Sequence, residues 1–237
     1  MEHLTAHLLA AYAMVVAPWL SCFTYQKARN RFLAGDPLAK VRLYREWVAE
    51  QAVVTALVLG LWRFGGISGM SLGIAAPFSW PWNMAALVAL LALLLWTAVR
   101  MRRRAPKIRK RFQNSVGMLF PDSPQERTWF GGLSIGAGIS EELVFRGFLM
   151  YYLGEHVPHI NTPEKILLTS LIFGLAHVYQ GWKRTIPTGI GGLIFASLYV
   201  FSGSLLLPIV VHAVTDWQTL LILPPQATPA GPVESAA

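Results

Sequence analysis

The chain has 237 residues, of which 54% are hydrophobic and only 14% are charged, and its formal net charge is +8. Soluble domains carry about 25% charged residues, so this composition argues against a soluble enzyme and indicates a membrane protein. Most basic residues lie in two loops between apolar segments, 26–46 and 101–128, a pattern typical of cytoplasmic membrane loops rather than of a nucleic-acid-binding surface. The single cysteine, Cys22, excludes an intrachain disulfide and a cysteine-rich zinc site.

A membrane-spanning helix needs about 20 mostly apolar residues, and the sequence contains seven candidate segments. In chain order, the predicted spans are 4–25, 47–64, 82–100, 129–153, 164–181, 187–202 and 205–223. The fold class is therefore predicted to be all-α, a polytopic transmembrane helical bundle of about seven spans (six to eight). With the N-terminus outside, seven spans place both basic loops and the Lys183–Arg184 turn in the cytoplasm, as the positive-inside rule requires.

The sequence divides into three parts. Residues 1–128 contain the N-terminal spans with their basic cytoplasmic loops, and residues 129–223 contain the polar intramembrane residues. Residues 224–237 are rich in proline and alanine, and this tail is predicted to be disordered. The 65–81 stretch is predicted to be an external loop with aromatic residues at its edge, and the 101–128 loop to hold an amphipathic surface helix.

Two adjacent glutamates, Glu141 and Glu142, lie inside the fourth predicted span. A carboxylate at bilayer depth costs about 2.5–3.5 kcal/mol on insertion scales, so charges there indicate a functional site. Glu142 and Arg146 are four residues apart and can pair on one helix face, whereas Glu141 points about 100° away. We therefore predict that Glu142 and Arg146 support the site and that Glu141 is its working group. Gly132 and Gly136 form a small-residue face that predicts close packing of a neighbouring helix.

Two later spans supply the other polar intramembrane residues. His177 follows Phe173 by one turn in the fifth span, and His212 precedes Asp216 by one turn in the seventh. Phe173 is predicted to be a further supporting residue of the site. Because buried charges need partners, these groups are predicted to converge with the glutamates in one polar pocket. The predicted span edges place His177 near the cytoplasmic end and His212 in the outer half, so convergence requires tilted helices, shifted edges or a water-filled funnel. Tyr179 is predicted to be an interface anchor.

Two hydrolytic mechanisms fit these residues. In the first, Glu141 is a general base for a water that attacks an amide carbonyl, and His177 assists at the water. His212 and the residue at 216 then stabilise the oxyanion, and no cofactor is needed. In the second, His177, His212 and Glu141 bind zinc, which activates the water. Two histidines and a carboxylate suffice for a catalytic zinc, although the sequence lacks the His-Glu-x-x-His spacing of common zinc proteases. Both mechanisms stay open on these residues, and the glutamate-activated water is the favoured prediction.

Three short motifs occur in order on successive apolar segments. They are Glu141-Glu142-x-x-x-Arg146, Phe173-x-x-x-His177 and His212-x-x-x-Asp216. The ordered set resembles the motifs of the CPBP family of intramembrane proteases, also called the ABI family. That family includes the Rce1-type CAAX prenyl endopeptidases and bacteriocin-processing or immunity proteins. The resemblance covers about residues 129–222, whereas residues 1–128 carry no recognisable motif.

The resemblance implies an intramembrane endopeptidase in which Glu141 activates the water, His177 assists at the water, and His212 and residue 216 line the oxyanion side. Residue 216 is often asparagine in the family, and here it is aspartate. An ionised aspartate cannot donate a hydrogen bond to an oxyanion, whereas an asparagine amide can. Asp216 must therefore be protonated, orient His212 or bind a metal.

The predicted substrate is a membrane-associated peptide segment: a prenylated C-terminus, a bacteriocin leader or a sorted C-terminal tail. Anionic lipid headgroups are predicted partners of the basic loops, no nucleic acid is expected, and the predicted location is a bacterial or archaeal cell membrane. Two other functions stay open. One is a non-catalytic immunity or scaffold protein, a pseudoprotease that keeps the motifs for packing. The other is a proton-coupled transporter, although the sequence shows no internal repeat.

Overall fold

The computed structural model of the chain describes residues 2–65, 69, 72–73, 81–112 and 116–225. These residues form helices and turns, with no strand among them, which confirms the predicted all-α class. The helices are α1 (Glu2–Ala11), α2 (Ala17–Leu33), α3 (Ala39–Phe64), α4 (Trp82–Arg102), α5 (Ala105–Phe112), α6 (Pro124–Glu142), α7 (Met150–His156), α8 (Thr162–Ala176), α9 (Trp182–Ser202), α10 (Leu206–Trp217) and α11 (Thr219–Ile222). Most of the predicted external loop 65–81 and of the predicted disordered tail 224–237 lies outside the described residues.

Four helical stretches in the described part of the chain are long and apolar enough to cross a membrane. They are Leu4–Leu33, Ala39–Phe64, Trp82–Arg102 and Trp182–Ser202. They correspond to the first, second, third and sixth predicted spans. The predicted 47–64 span is shorter than the observed helix, because α3 begins at Ala39. A hydropathy criterion leaves out the polar residues at the start of this helix.

The other three predicted spans differ more from the observed helices. The 129–153 segment is part of a longer stretch in which α6 passes through a π-helical segment, Leu143–Leu149, into α7. The 164–181 segment contains α8, which ends at Ala176, before His177. The last segment is the shorter apolar stretch Leu206–Ile222, which is divided into α10 and α11.

Large apolar side chains face outward along the long helices. Trp19 on α2, Trp96 on α4 and Phe201 on α9 are all more than half exposed. Monomeric soluble proteins rarely leave extended apolar surface in contact with water, whereas lipid solvates such surface. The outward apolar faces are therefore those of an integral membrane protein.

Glycines let α6 pack closely between α3 and α10. A Cβ at Gly136 would lie 2.2 Å from Oε1 of Gln51 on α3, and one at Gly138 would lie 2.7 Å from Cβ of Ala213 on α10. A Cβ at Gly132 would meet nothing within 4 Å. The predicted close approach is thus confirmed at Gly136 and wrong at Gly132, and Gly138 supplies the second contact.

The basic segments of the chain meet at one end of the bundle. Lys40 Nζ, at the start of α3, lies 2.8 Å from Asp122 Oδ2, just before α6. Arg109 Nη1, on α5, lies 2.9 Å from Asp122 Oδ1. The guanidinium of Arg184, at the start of α9, lies 3.4 Å from the ring centre of Phe112 on α5. Segments that the sequence assigns to the cytoplasm therefore lie together, as a single membrane orientation requires.

Candidate active site

The paired glutamates are the last two residues of α6. Arg146 Nη1 donates to Glu142 Oε1 at 2.9 Å, which confirms the predicted pair four residues apart. Arg146 Nη2 also donates to the carbonyl oxygen of Gly192 on α9 at 3.0 Å. Both charged side chains are fully buried, and a buried charge needs such partners to be tolerated. The Glu142–Arg146 pair therefore connects the end of α6 to α9.

Three phenylalanine rings surround the Arg146 guanidinium. Its central carbon lies 4.6 Å from the ring centre of Phe173, 5.6 Å from that of Phe195 and 5.8 Å from that of Phe145. The negative face of an aromatic ring attracts a cation at such distances. Phe173, predicted as a supporting residue, thus packs directly against the buried arginine.

His212 is held by Glu142 and by an aromatic ring. Its Nδ1 lies 2.7 Å from Glu142 Oε1, and because a carboxylate only accepts, the Nδ1–H donates. The imidazole stacks on Phe195 with ring centres 4.5 Å apart and an interplanar angle of 12°. Its Nε2 lies 3.7 Å from Asp216 Oδ2, which is longer than a hydrogen bond. Glu142, rather than Asp216, therefore orients His212.

His177 follows the last residue of α8, and its ring is held by the backbone. Its Nδ1 lies 2.8 Å from the carbonyl oxygen of Phe173, so the Nδ1–H donates to that oxygen. In the neutral ring, Nε2 then carries a lone pair and can only accept. This Nε2 lies 3.7 Å from Glu141 Oε2.

Glu141 lies between the two histidines. Its Oε2 is 3.7 Å from His177 Nε2 and 3.9 Å from His212 Nε2. The same oxygen is buried and has no hydrogen-bond partner in the described part of the chain. The predicted convergence of Glu141, His177, His212 and Asp216 is therefore present in the geometry, with Glu141 unpaired and Glu142 paired.

The difference in depth predicted between His177 and His212 does not prevent their approach to Glu141. Helix α8 has 15 residues and α10 has 12, so both are shorter than the full-length spans assumed from the sequence. His212 is the seventh residue of a helix only about 18 Å long. The depths estimated from the predicted span edges therefore do not apply to these two helices.

Two cavities meet at Glu141 and His177. The first cavity has an empty volume of about 710 Å³, part of it open to the surroundings, and extends towards Tyr12, Ala17 and Val54. The second cavity has an empty volume of about 1380 Å³, also partly open, and extends towards Arg184, His212, Asp216 and Thr219. Space that is partly open to the surroundings therefore reaches Glu141 from both cavities.

Three residues that line both cavities, Trp47, Gln51 and Tyr179, were not among the predicted site residues. Trp47 and Gln51 are four residues apart on α3, so they share a face. The available signal was a polar residue, Gln51, inside the predicted 47–64 span. Tyr179, predicted as an interface anchor, belongs to the walls of these cavities instead.

The predicted zinc ligands, Glu141, His177 and His212, do come together. Among the residues that the structure describes, however, no three His, Cys, Asp or Glu side chains are arranged so that they could hold a metal ion. No step of the reaction is assigned to a metal, and a zinc-activated water stays the alternative to a glutamate-activated one.

Comparisons with known proteins agree with the three motifs. Residues 124–218 match the family model described as type II CAAX prenyl endopeptidase Rce1-like. The matched segment runs from the start of α6 to just beyond α10 and contains Glu141, His177, His212 and Asp216. Comparisons with curated proteins and with solved structures give no significant match. A domain of this kind, in a chain with apolar membrane-spanning helices, indicates a membrane endopeptidase. Residues 124–218 are thus similar to the Rce1-like domain of type II CAAX prenyl endopeptidases.

Proposed function

We propose that the protein is a multi-pass intramembrane endopeptidase that cleaves a CAAX-type or related C-terminal segment of a prenylated substrate, using a water activated by Glu141. The main observation is that Glu141 Oε2 is unpaired and faces Nε2 of both His177 and His212. Anionic lipid headgroups are proposed to contact the basic end of the bundle.

Glu141 and His177 are placed so that both can hold the attacking water. Glu141 Oε2 and His177 Nε2 are both acceptors, and their separation of 3.7 Å is one that a water molecule can bridge. A water that donates one hydrogen to each would direct a lone pair away from both, towards a substrate carbonyl. Glu141 takes the water proton and later passes it to the leaving amine. A positioned general base of this kind contributes about 10²–10⁴-fold in rate.

His212 is proposed to act on the opposite side of the reacting carbonyl. Because its Nδ1–H is bound to Glu142, Nε2 can donate to an oxyanion only when the ring carries both protons. The Nε2–H then stabilises the oxyanion, and one such donor is worth about 10²–10³ in rate. Asp216, near the same nitrogen, is proposed as a second donor in its protonated form.

Replacement of Glu141 by glutamine tests this function. In detergent, Glu141→Gln is expected to lower cleavage of a farnesylated peptide ending in a CAAX sequence by about 10²–10⁴-fold. Its melting temperature should stay within a few degrees of the wild type, because Oε2 has no partner to lose. Glu155→Gln, an exposed change at the end of α7, is the matched control and should cleave normally.

Two results would contradict the proposal. Undiminished cleavage by Glu141→Gln would remove the assigned base. Lost stability with unchanged cleavage per folded molecule would favour a scaffold role for the motif. The same assay with a chelator addresses the zinc alternative: we expect resistant activity, and a loss that zinc restores would support metal catalysis instead.

A further inference from the structure

A peptide that enters the second cavity must find partners for its own backbone. Most of the cavity wall is formed by helices, and backbone N–H and C=O groups inside a helix are bonded within that helix. A substrate backbone that leaves water therefore needs polar side chains to replace the lost hydrogen bonds. The polar side chains in the cavity wall decide where the peptide can be held.

Most of these side chains already have partners inside the protein. The hydroxyl of Tyr44 donates to Leu119 O, Trp47 Nε1 to Thr24 Oγ1, Ser134 Oγ to Phe130 O, Gln180 Nε2 to the Tyr179 hydroxyl, and Thr215 Oγ1 to Val211 O. The hydroxyl and indole hydrogens that donate in this set could bind a peptide only by breaking an existing hydrogen bond, although the hydroxyl oxygens can still accept. These groups are therefore poorer candidates for substrate contacts than a side chain without a partner.

Gln51 differs from all of them. Its Oε1 is buried and has no hydrogen-bond partner in the part of the chain that the structure describes. The side chain lines both cavities together with Glu141 and His177. A buried amide oxygen without a partner is costly, and such a cost is expected where a ligand supplies the missing bond.

The position of this amide depends on Gly136. A Cβ at residue 136 would lie 2.2 Å from Gln51 Oε1, so only glycine leaves room for the amide. Gly136 precedes Glu141 by five residues on α6, a rise of about 7.5 Å. An extended peptide rises about 3.3 Å per residue, so this rise corresponds to about two residues of a peptide whose scissile bond is held at Glu141.

We propose that the Gln51 side chain binds the substrate backbone within about two residues of the scissile bond and so positions that bond over Glu141. A primary amide both donates and accepts, so it can pair with the C=O and N–H groups of a peptide whatever its side chains are. This inference rests on the proposed endopeptidase function and adds a substrate-binding residue outside the Rce1-like domain.

The test pairs a protein change with a substrate change. Gln51→Met keeps the length of the side chain and removes both hydrogen-bonding groups. The probes are a farnesylated CAAX peptide and a set of analogues in which one backbone N–H at a time is replaced by an ester oxygen. With the all-amide peptide, kcat/KM should fall about 10-fold in the variant. With the analogue modified at the contacted N–H, wild type and variant should differ by less than about 2-fold, because the wild type has lost the same bond.

Ser134→Ala is the control, since that hydroxyl is bonded within its own helix, and it should cleave every peptide within about 2-fold of the wild type. Unchanged kcat/KM in Gln51→Met, or an equal loss on every analogue, would overturn the proposal. If Gln51→Met does not fold, Gly136→Ala displaces the same amide and should show the same dependence on the analogue. A wild-type protein that cleaves none of the peptides would instead refute the proposed function, and this inference with it.

Discussion

At the scale of single residues, the site gives its two histidines opposite hydrogen-bonding roles. His177 donates from Nδ1 to the Phe173 carbonyl, which leaves Nε2 as an acceptor in the neutral ring. His212 donates from Nδ1 to Glu142, so its Nε2 can donate only in a ring that carries both protons. This difference supports the proposed roles of His177 at the attacking water and of His212 at the oxyanion, and both rings lie within 4 Å of Glu141.

Arg146→Met should destabilise the protein without removing a group that contacts substrate. The change leaves Glu142 fully buried without its cation, and breaking a buried ion pair costs about 3–5 kcal/mol in the free energy of unfolding. Thermal unfolding in detergent measures the effect, with Glu141→Gln as the comparison that should be nearly neutral. Equal melting temperatures for Arg146→Met and the wild type would show that the pair is not a structural support.

Asp216→Asn should retain activity, and the ratio of its kcat/KM to that of the wild type should increase as pH rises. An asparagine amide donates a hydrogen bond at every pH, whereas an aspartate can donate only while it is protonated. The measurement is kcat/KM of both proteins against pH, with Asp216→Ala expected to lose about 10²-fold as a missing donor. A constant ratio of the Asn variant to the wild type at all pH values would argue against donation by Asp216.

At the scale of helices, the site depends on the contact between α6 and α10. Gly138 faces α10 so closely that a Cβ would lie 2.7 Å from the Ala213 backbone nitrogen and 2.8 Å from Ile209 O. Backbone atoms cannot move aside as a flexible side chain can, so any larger residue must displace α10. His212 lies on that helix, and its distance to Glu141 therefore depends on this glycine.

Gly138→Ala is expected to lower both stability and activity. Overpacking of this kind typically costs about 1–3 kcal/mol, and the shift of α10 should lower kcat by moving His212 away from the oxyanion. Gly132→Ala is the matched control, because a Cβ there meets nothing within 4 Å, and alanine favours a helix by about 0.5–1 kcal/mol over glycine. The measurements are the melting temperature and kcat of the two variants. Equal values for Gly138→Ala and Gly132→Ala would contradict the role of Gly138 in positioning α10.

At the scale of the whole molecule, the two ends of the bundle differ in charge. The basic segments meet around Asp122, Phe112 and the start of α6. At the far end of the α6–α7 stretch, His7 Nδ1 on α1 lies 2.7 Å from the hydroxyl of Tyr152 on α7. From this polarity, the positive-inside rule predicts that the basic end faces the cytoplasm.

Cysteine labelling checks that orientation. In a Cys22→Ser background, which removes the only cysteine, Lys107→Cys reports on the basic end and Glu155→Cys on the opposite end, and both positions are exposed. A membrane-impermeant maleimide added to intact cells should label Glu155→Cys at once and Lys107→Cys only after permeabilisation. Labelling of both from the same side would contradict the predicted arrangement.

Interactions between residues close together on one helix could be predicted from the sequence. The Glu142–Arg146 pair follows from a spacing of four residues on one helix, and the division between Glu141 and Glu142 follows from the helical rotation between neighbours. Helix ends were less predictable, because hydropathy leaves out the polar residues with which α3 begins and does not show that α8 ends at Ala176.

The sequence by itself determined the all-α membrane class, the order of the three motifs and the identities of Glu141, His177, His212 and Asp216. The tertiary structure decided which partner holds each histidine, since the His212–Glu142 bond joins residues 70 positions apart. It also decided that Gln51, on a helix without any motif, lines the cavities at Glu141. The physical reason is that spacing determines which residues share a helix face, whereas the packing of α3, α6 and α10 determines which faces meet.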